Sequence, residues 1–358
     1  MINHSLNIRR SRTEDATEIL RLVEQEYKNP VGKDEWFWRY EEQRTCGQGV
    51  YWVAELDGKI VGGRGAIPLP LQCGQKEITI GHSVDTIVAK EHRRKGIFGS
   101  IIHHMLTEFR FGHVQDMQGS LSTPRPQAYW GAVKNGYYDI GQLDTWVRPL
   151  KISRAVFKLI HLHGFSRNLK RIPERALSAG KVNCSWGGLD DMQIEIVSDP
   201  DLSDLTPLWL SRSSSEHVQV KKDADRLQWR YLGSPTEYQF FIMRNPSGSP
   251  VGAIICKHKL ISGFDVYDII DLAALNAQIY RHLLKLFVRW AKQQRAELIR
   301  LIMHNYLPRY LMFSNGFLPV WKNTHWMLND WSTPLDIQRN FIFDFNNWRL
   351  VAGDIDTF

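Results

Sequence analysis

Between residues 77 and 89 apolar and polar positions alternate, which sets Ile78, Ile80, His82, Val84, Thr86 and Val88 on one face. This is the period-two pattern of a half-buried strand. Directly afterwards Phe98, Ile101, Ile102, Met105, Leu106 and Phe109 recur every three or four residues, predicting a helix from about Gly96 with one apolar face. The junction, residues 88–100, reads V-A-K-E-H-R-R-K-G-I-F-G-S, a basic turn bearing glycine. At a helix start the first backbone N–H groups lack intrahelical partners and the dipole is positive, so an anion is stabilised there. Gly96 and Gly99 let backbone approach a phosphate closely, and Arg93, Arg94 and Lys95 attract it from further away. A short glycine pattern is weak by itself, and a solvated basic turn ahead of a helix also fits these residues.

Upstream, residues 8–27 read as a strand and a helix, and residues 50–56 and 59–69 as strands joined by an Asp57-Gly58 hairpin turn. Landmarks then recur in one order. Trp38-Arg39-Tyr40 returns as Trp229-Arg230-Tyr231, Val61-Gly62 as Val251-Gly252, Asp85 as Asp271, and Asn135-Gly136-Tyr137 as Asn315-Gly316-Phe317. Four landmarks in the same order predict a tandem duplication of one fold. The copies differ at the turn. The second has no glycine between Gly263 and Gly316, and reads A-A-L-N-A-Q-I-Y-R-H-L-L-K where an anion turn would lie. The second copy is therefore expected to act as scaffold, acceptor-site wall or dimer surface. The last eleven residues read as too polar to form an element alone, and are expected to pack over that copy.

A chain of 358 residues with 43% hydrophobic and 23% charged residues suits a soluble globular protein of two domains. No apolar run is long enough to span a membrane, and the first residues lack the apolar core of a signal peptide, so a cytoplasmic protein is expected. Cys46, Cys73, Cys184 and Cys256 are far apart, and the adjacent His103 and His104 point to different helix faces, so no metal site is predicted. The net charge of +7 is concentrated in one segment: residues 148–181 hold nine Lys/Arg against one acid, Glu174. That segment reads as an amphipathic basic connector rather than a nucleic-acid face, with contact to anionic lipid or a polyanion as the other reading.

Arg93-Arg94-Lys95-Gly96-Ile97-Phe98 resembles the R-x-x-G-x-G/A pyrophosphate loop of the GCN5-related N-acetyltransferase (GNAT) superfamily. Phe98 stands where the family most often has Gly or Ala, and Lys90 replaces a frequent Pro. The order of elements through Asn135-Gly136-Tyr137 resembles the family over about 140 residues. The chain as a whole is similar to bacterial tandem acetyltransferase-like proteins placed with polysaccharide biosynthesis. The resemblance implies an α+β fold of two tandem GNAT-like domains, each a twisted mixed β-sheet flanked by helices. The domains expected are 1–148 with an acetyl-CoA site, a basic helical connector 149–190, and 191–358 without the pyrophosphate loop.

It also implies a donor site for acetyl-CoA formed by Ile87, Val88, Arg93, Arg94, Lys95, Gly96, Ile97, Phe98, Gly99 and Ser100, with backbone of Ile87, Val88 and Lys90 facing the thioester. An amine has a pKa near 10.4 by analogy with lysine, so acyl transfer at pH 7 needs a base. Asp85 and His82 are the candidates. Many family members have a Tyr acid where this chain has Ala132, which leaves Tyr129 as the candidate acid. Trp38 and Trp130, with His82, are expected to line an acceptor pocket. The expected acceptor is a small-molecule primary amine, an amino sugar or nucleotide-amino sugar; no nucleic acid or membrane span is expected, and a homodimer is allowed. A Fem-like aminoacyl transferase and a non-catalytic acyl-CoA-binding module are the alternatives.

Overall fold

The computed structural model describes residues 6–26, 32–42, 47–114, 117–151, 192–212, 216–261, 263–329 and 339–355. Nearly all of the basic connector expected over 149–190 lies outside them. The first half runs β1 (Leu6–Arg10), α1 (Ala16–Glu26), α2 (Lys33–Trp36) with a π-helical turn (Phe37–Glu41), β2 (Val50–Leu56), β3 (Lys59–Cys73), β4 (Lys76–Val88), α3 (Ile97–Arg110), β5 (Ser120–Ser122), α4 (Pro126–Lys134) and β6 (Tyr137–Pro149). The second runs β7 (Gln193–Val197), α5 (Leu202–Leu210), β8 (Val218–Val220), α6 (Ala224–Leu227) with a π-helical turn (Gln228–Leu232), β9 (Gln239–Arg244), β10 (Pro250–Ile261) and β11 (Phe264–Ala274). It continues with α7 (Ala277–Gln293), β12 (Leu298–His304), α8 (Arg309–Ser314), β13 (Leu318–Asn329), α9 (Arg339–Phe343) and β14 (Trp348–Val351). No helix among the described residues is long and apolar enough to cross a membrane.

All these strands belong to one 14-stranded mixed sheet, whose main path is β1-β2-β3-β4-β5-β13-β6-β12-β11-β10-β9-β7. The path runs unbroken across the boundaries expected from sequence at 148 and 191. β13, late in the chain, lies between β5 and β6, and β6 from the first half lies against β12. The buried Asn329 at the end of β13 fixes this arrangement by accepting the backbone N–H of Ser120 at 2.8 Å.

The two π-helical turns meet face to face. The rings of Trp38 and Trp229 stack at 4.5 Å and 12°. Each indole donates to the other's backbone carbonyl, Trp38 to Trp229 at 2.9 Å and Trp229 to Trp38 at 3.3 Å. Stacking and mutual hydrogen bonds satisfy both buried N–H groups and couple the halves at one contact. On the opposite face of the first half, α3 buries Ile97, Ile101, Ile102, Met105 and Phe109 against Trp52, Ala54, Val61 and Ala66. This packing holds the start of α3 at the end of β4. Each fully buried aliphatic side chain contributes about 1.5–3 kcal/mol.

The end of the chain departs from its sequence reading. Trp348, Leu350 and Val351 are fully buried, and Trp348–Val351 forms a strand that pairs with β12 and β8. Alternate apolar side chains with ladder partners on both sides suffice for a strand that has few polar contacts of its own. The following Ala352–Asp354 turn packs at β11.

Candidate active site

Two features place a groove at the end of β4. The first is a bulge: the register of β4 against β3 slips between Gly63 and Gly65, so Arg64 faces the extra residue at Asp85–Thr86. Asp85 adopts φ +49°, a left-handed conformation that few residues other than glycine take and that aspartate tolerates better than most. Its side chain holds it there. Arg39 Nη1 donates to both Asp85 oxygens at 2.7 and 2.8 Å, Tyr40 Oη donates at 2.6 Å, and Tyr51 Oη donates to the Asp85 carbonyl at 3.1 Å. Arg39 is also paired with Glu35. The glycines around Arg64 admit this network, since a Cβ on Gly63 would collide with the Tyr51 ring and one on Gly65 with Tyr40 Oη.

The second feature is a splay. β4 pairs with β5 in parallel only at Gly81↔Ser120, His82↔Leu121 and Ser83↔Ser122. Beyond Ser83 the strands part, while β4 continues along β3 to Val88 opposite Gly62. β5 ends at Ser122, so among the described residues no strand pairs with the backbone of residues 84–88 on that side. An extended chain bearing amides can add to such an edge as a strand would.

The turn that follows has the geometry of an anion cradle. Arg94 and Gly96 both have positive φ, 62° and 84°. The first helical bond of α3 runs from Ser100 N to Gly96 O at 3.0 Å, and no side chain caps the helix. The N–H groups of Ile97, Phe98 and Gly99 therefore precede the helical ladder. Arg93 donates from Nε to the Val88 carbonyl at 2.9 Å and pairs with Glu26, which also accepts Lys90 N at 2.9 Å. Arg93 thus braces the turn and has its charge balanced by Glu26, leaving Arg94 and Lys95 exposed beside it. Phe98 packs its ring where a Cβ on Gly131 of α4 would stand, and Gly99 faces Asn135. Ser100 Oγ turns back to Gly96 O at 3.4 Å.

The other expected residues are spread. Ile87 and Val88 are on the groove strand, paired with Gly63 and Gly62. His82 is buried between the halves; burial and the guanidiniums of Arg226, Arg39, Arg64 and Arg230 push its pKa down to about 3. Its Nε2 lies 3.3 Å from Thr123 Oγ1. A ring that weak as a base is a poor proton acceptor for an amine. Tyr129 hydrogen-bonds Asp139 at 3.0 Å, which raises its pKa, and its ring lies 4.5 Å from that of His325. It lies on the opposite side of α4 from Gly131 and Asn135, which face α3. Trp130 is 68% exposed, edge-on to Tyr129. Trp38 joins Lys33, Asp34, Phe37, Glu42, Gly233 and Pro235 around a cleft of about 590 Å³ on the side of the π-helical turns.

Sequence reasoning missed the interior of the groove. Arg64 Nη1 donates to Thr86 Oγ1 at 2.8 Å, and Nη2 to Ser122 Oγ at 3.2 Å and Tyr137 Oη at 3.4 Å. Ser83, Ser120 and Tyr137 form a linked hydroxyl cluster beside it, with Ser120 Oγ 2.7 Å from Ser83 Oγ and 2.6 Å from Tyr137 Oη. A signal existed: G-G-R-G sets one charge in the middle of an otherwise apolar and glycine strand.

Comparison with known proteins bears on this geometry. Residues 7–115 match the acetyltransferase (GNAT) domain family. The match contains β1 to α3, hence the bulge, the groove strand and the anion turn. Among solved structures, a GCN5-related N-acetyltransferase from Anabaena variabilis is similar at TM-score 0.61 and 14% identity, covering 90% of this chain and 72% of its own. One from Kribbella flavida gives 0.57 and 12%, covering 91% and 71%. Saccharomyces cerevisiae N-myristoyltransferase with bound myristoyl-CoA gives 0.57 and 11%, covering 92% and 80%. At these identities the likeness is one of fold, and it extends over both halves. No curated protein matches the chain in sequence.

Proposed function

We propose that this protein is an acyl-CoA-dependent N-acyltransferase that transfers an acyl group, acetyl in the simplest case, to the primary amine of a small acceptor such as an amino sugar or nucleotide-amino sugar. One observation carries the reading: the splayed edge of β4 runs directly into the Arg94–Gly96 turn at the start of α3. A diphosphate fits the N–H groups of the turn, and an amide-bearing pantetheine arm fits the edge. The thioester then lies near the bulge, where an amine attacks the carbonyl; the C–N bond forms as the nitrogen gives up a proton, the C–S bond breaks and the leaving thiolate takes a proton. Alignment and fixed N–H dipoles supply most of the rate.

We further infer that residues 191–358 are a second, related copy closed to a donor. Its β11 parts from β12 beyond Ile269↔Leu301, and there β14 and the Ala352–Asp354 turn occupy the opening. The second reading, an acyl-CoA-binding module without turnover, is favoured by the engagement of Asp85 with Arg39 and Tyr40 and of Tyr129 with Asp139.

Calorimetric titration with CoA and acetyl-CoA tests the donor site. Gly96→Val should weaken both by about tenfold or more, because a β-branched residue at positive φ costs at least 1–2 kcal/mol and reshapes the cradle. Nothing lies within 4 Å of a Cβ at Gly96, so the loss would come from backbone shape and not from a clash. Absence of binding by the unaltered protein rejects the proposal. Thiol release over a panel of amines separates the enzyme from the binding module, and salt-sensitive tRNA binding in place of CoA binding would favour an aminoacyl transferase.

A further inference from the structure

Arg64 is 3% exposed and, among the described residues, no carboxylate lies within ion-pair distance of it. Its three hydrogen bonds go to neutral hydroxyls, and Nε has no partner. A guanidinium has five N–H donors, so the site leaves two unused, Nε among them. Aromatic rings flank the cation: Cζ lies 6.0 Å from the Phe98 ring centroid and 5.7 Å from that of Tyr137. A buried charge is normally balanced by a partner charge or avoided. Arg64 has a polar cage but no counter-charge.

Its position says what would supply one. Arg64 bridges Thr86 on β4 and Ser122 on β5, the residue whose pairing with Ser83 is the apex of the splay. A donor anchored by its diphosphate at the Arg94–Gly96 turn and running back along residues 88–84 brings its acyl end to that apex. The buried hydroxyls of Ser83, Ser120, Ser122 and Tyr137, together with Thr86, surround Arg64 there. Hydroxyls and a cation are poor company for a methyl or alkyl tail, and good company for a carboxylate, which cancels the charge and accepts a charge-assisted N–H bond. A thioester oxygen alone would accept one hydrogen bond without cancelling the charge.

We propose that Arg64 selects the donor, and that the acyl group it selects ends in a carboxylate, so that the donor class is a dicarboxylic acyl-CoA. This rests on the acyl-CoA reading of the same groove. The test measures affinity of the full-length protein for CoA, acetyl-CoA, butyryl-CoA and succinyl-CoA. The last two carry four-carbon acyl groups that differ in the terminal carboxylate. Succinyl-CoA should bind at least tenfold more tightly than butyryl-CoA. Arg64→Met should bring the two within about twofold while CoA itself moves less than threefold, and Arg64→Lys should keep part of the preference. Should the methionine variant fail to fold, the preference of the unaltered protein and the behaviour of the lysine variant decide. Binding of all four without preference overturns the inference and leaves the donor site standing. Equal weakening of every thioester by Arg64→Met also overturns it, since that pattern marks a contact to the carbonyl. A protein that binds none of the four has lost the donor reading, and the inference falls with it.

Discussion

Asp271→Ala is expected to cost about 3–5 kcal/mol of stability, the scale of breaking a buried, hydrogen-bonded charge cluster. Asp271 has no exposed surface. It accepts Tyr231 Oη at 2.7 Å, Trp209 Nε1 at 3.1 Å and Tyr306 Oη at 3.3 Å, and pairs with Lys222 at 2.7 Å. Lys222 pairs in turn with Asp354 at 3.0 Å, whose pKa is raised by burial ahead of the opposing pull of Lys222. Truncation would strand the Tyr231 and Trp209 donors in a dry site and remove one of the two carboxylates that hold Lys222, the cation that also pairs with Asp354 of the Ala352–Asp354 turn. Asp271→Asn keeps an acceptor and should cost less. Denaturant unfolding of the three proteins checks this, and an alanine variant within about 1 kcal/mol of the parent would refute it. Asp85 on β4 forms the corresponding contact with Tyr40 but stays partly exposed, so its loss should destabilise less.

The comparison of Asp271 with Asp85 shows what could be read from the chain and what could not. The strand over 77–89 and the helix after Gly96 are observed as Lys76–Val88 and Ile97–Arg110, because each rests on a local period. The bulge was illegible. Burial follows Ile78, Ile80, His82 and Val84, then changes phase to Ile87, where the alternation of the sequence had continued through Thr86 and Val88. One extra residue moves every later side chain to the other face, and it is held by Arg39, Tyr40 and Tyr51 from distant segments. The hydroxyl cage of Arg64 is likewise assembled from β4, β5 and β6. The placement of β13 between β5 and β6 leaves no local mark at all, since any apolar strand can pair with any open edge. The glycine-bearing turn was legible because positive φ and an uncapped helix start are properties of a few adjacent residues.

Stability is expected to fall as pH drops below about 6.5, with His82 the main contributor in the upper part of that range. The ring is buried, and four arginines, 226, 39, 64 and 230, surround it, so a proton on it would be a fifth positive charge in a dry site. Thr123 is its hydrogen-bond partner, and the one acid on the small cavity it shares with Arg226 and Arg230 is Asp354, which Lys222 holds. The folded pKa is about 3 against 6.5 for an ordinary histidine, so the unfolded chain binds the proton first. The stabilisation is therefore complete above pH 6.5 and is lost as pH falls towards 3, at about 1.4 kcal/mol per pH unit. Between pH 6.5 and 5.0 this amounts to about 2 kcal/mol. Carboxylates titrate lower and affect any variant equally, so the difference between parent and His82→Gln isolates the ring. Denaturant unfolding at pH 7.5 and 5.0 should show the parent losing about 2 kcal/mol more than the glutamine variant. Equal losses would mean that His82 is charged, or reaches solvent, in the folded protein. In that case it would regain standing as a proton acceptor, because the same depressed pKa that makes it a stability sensor makes it too weak to deprotonate an amine.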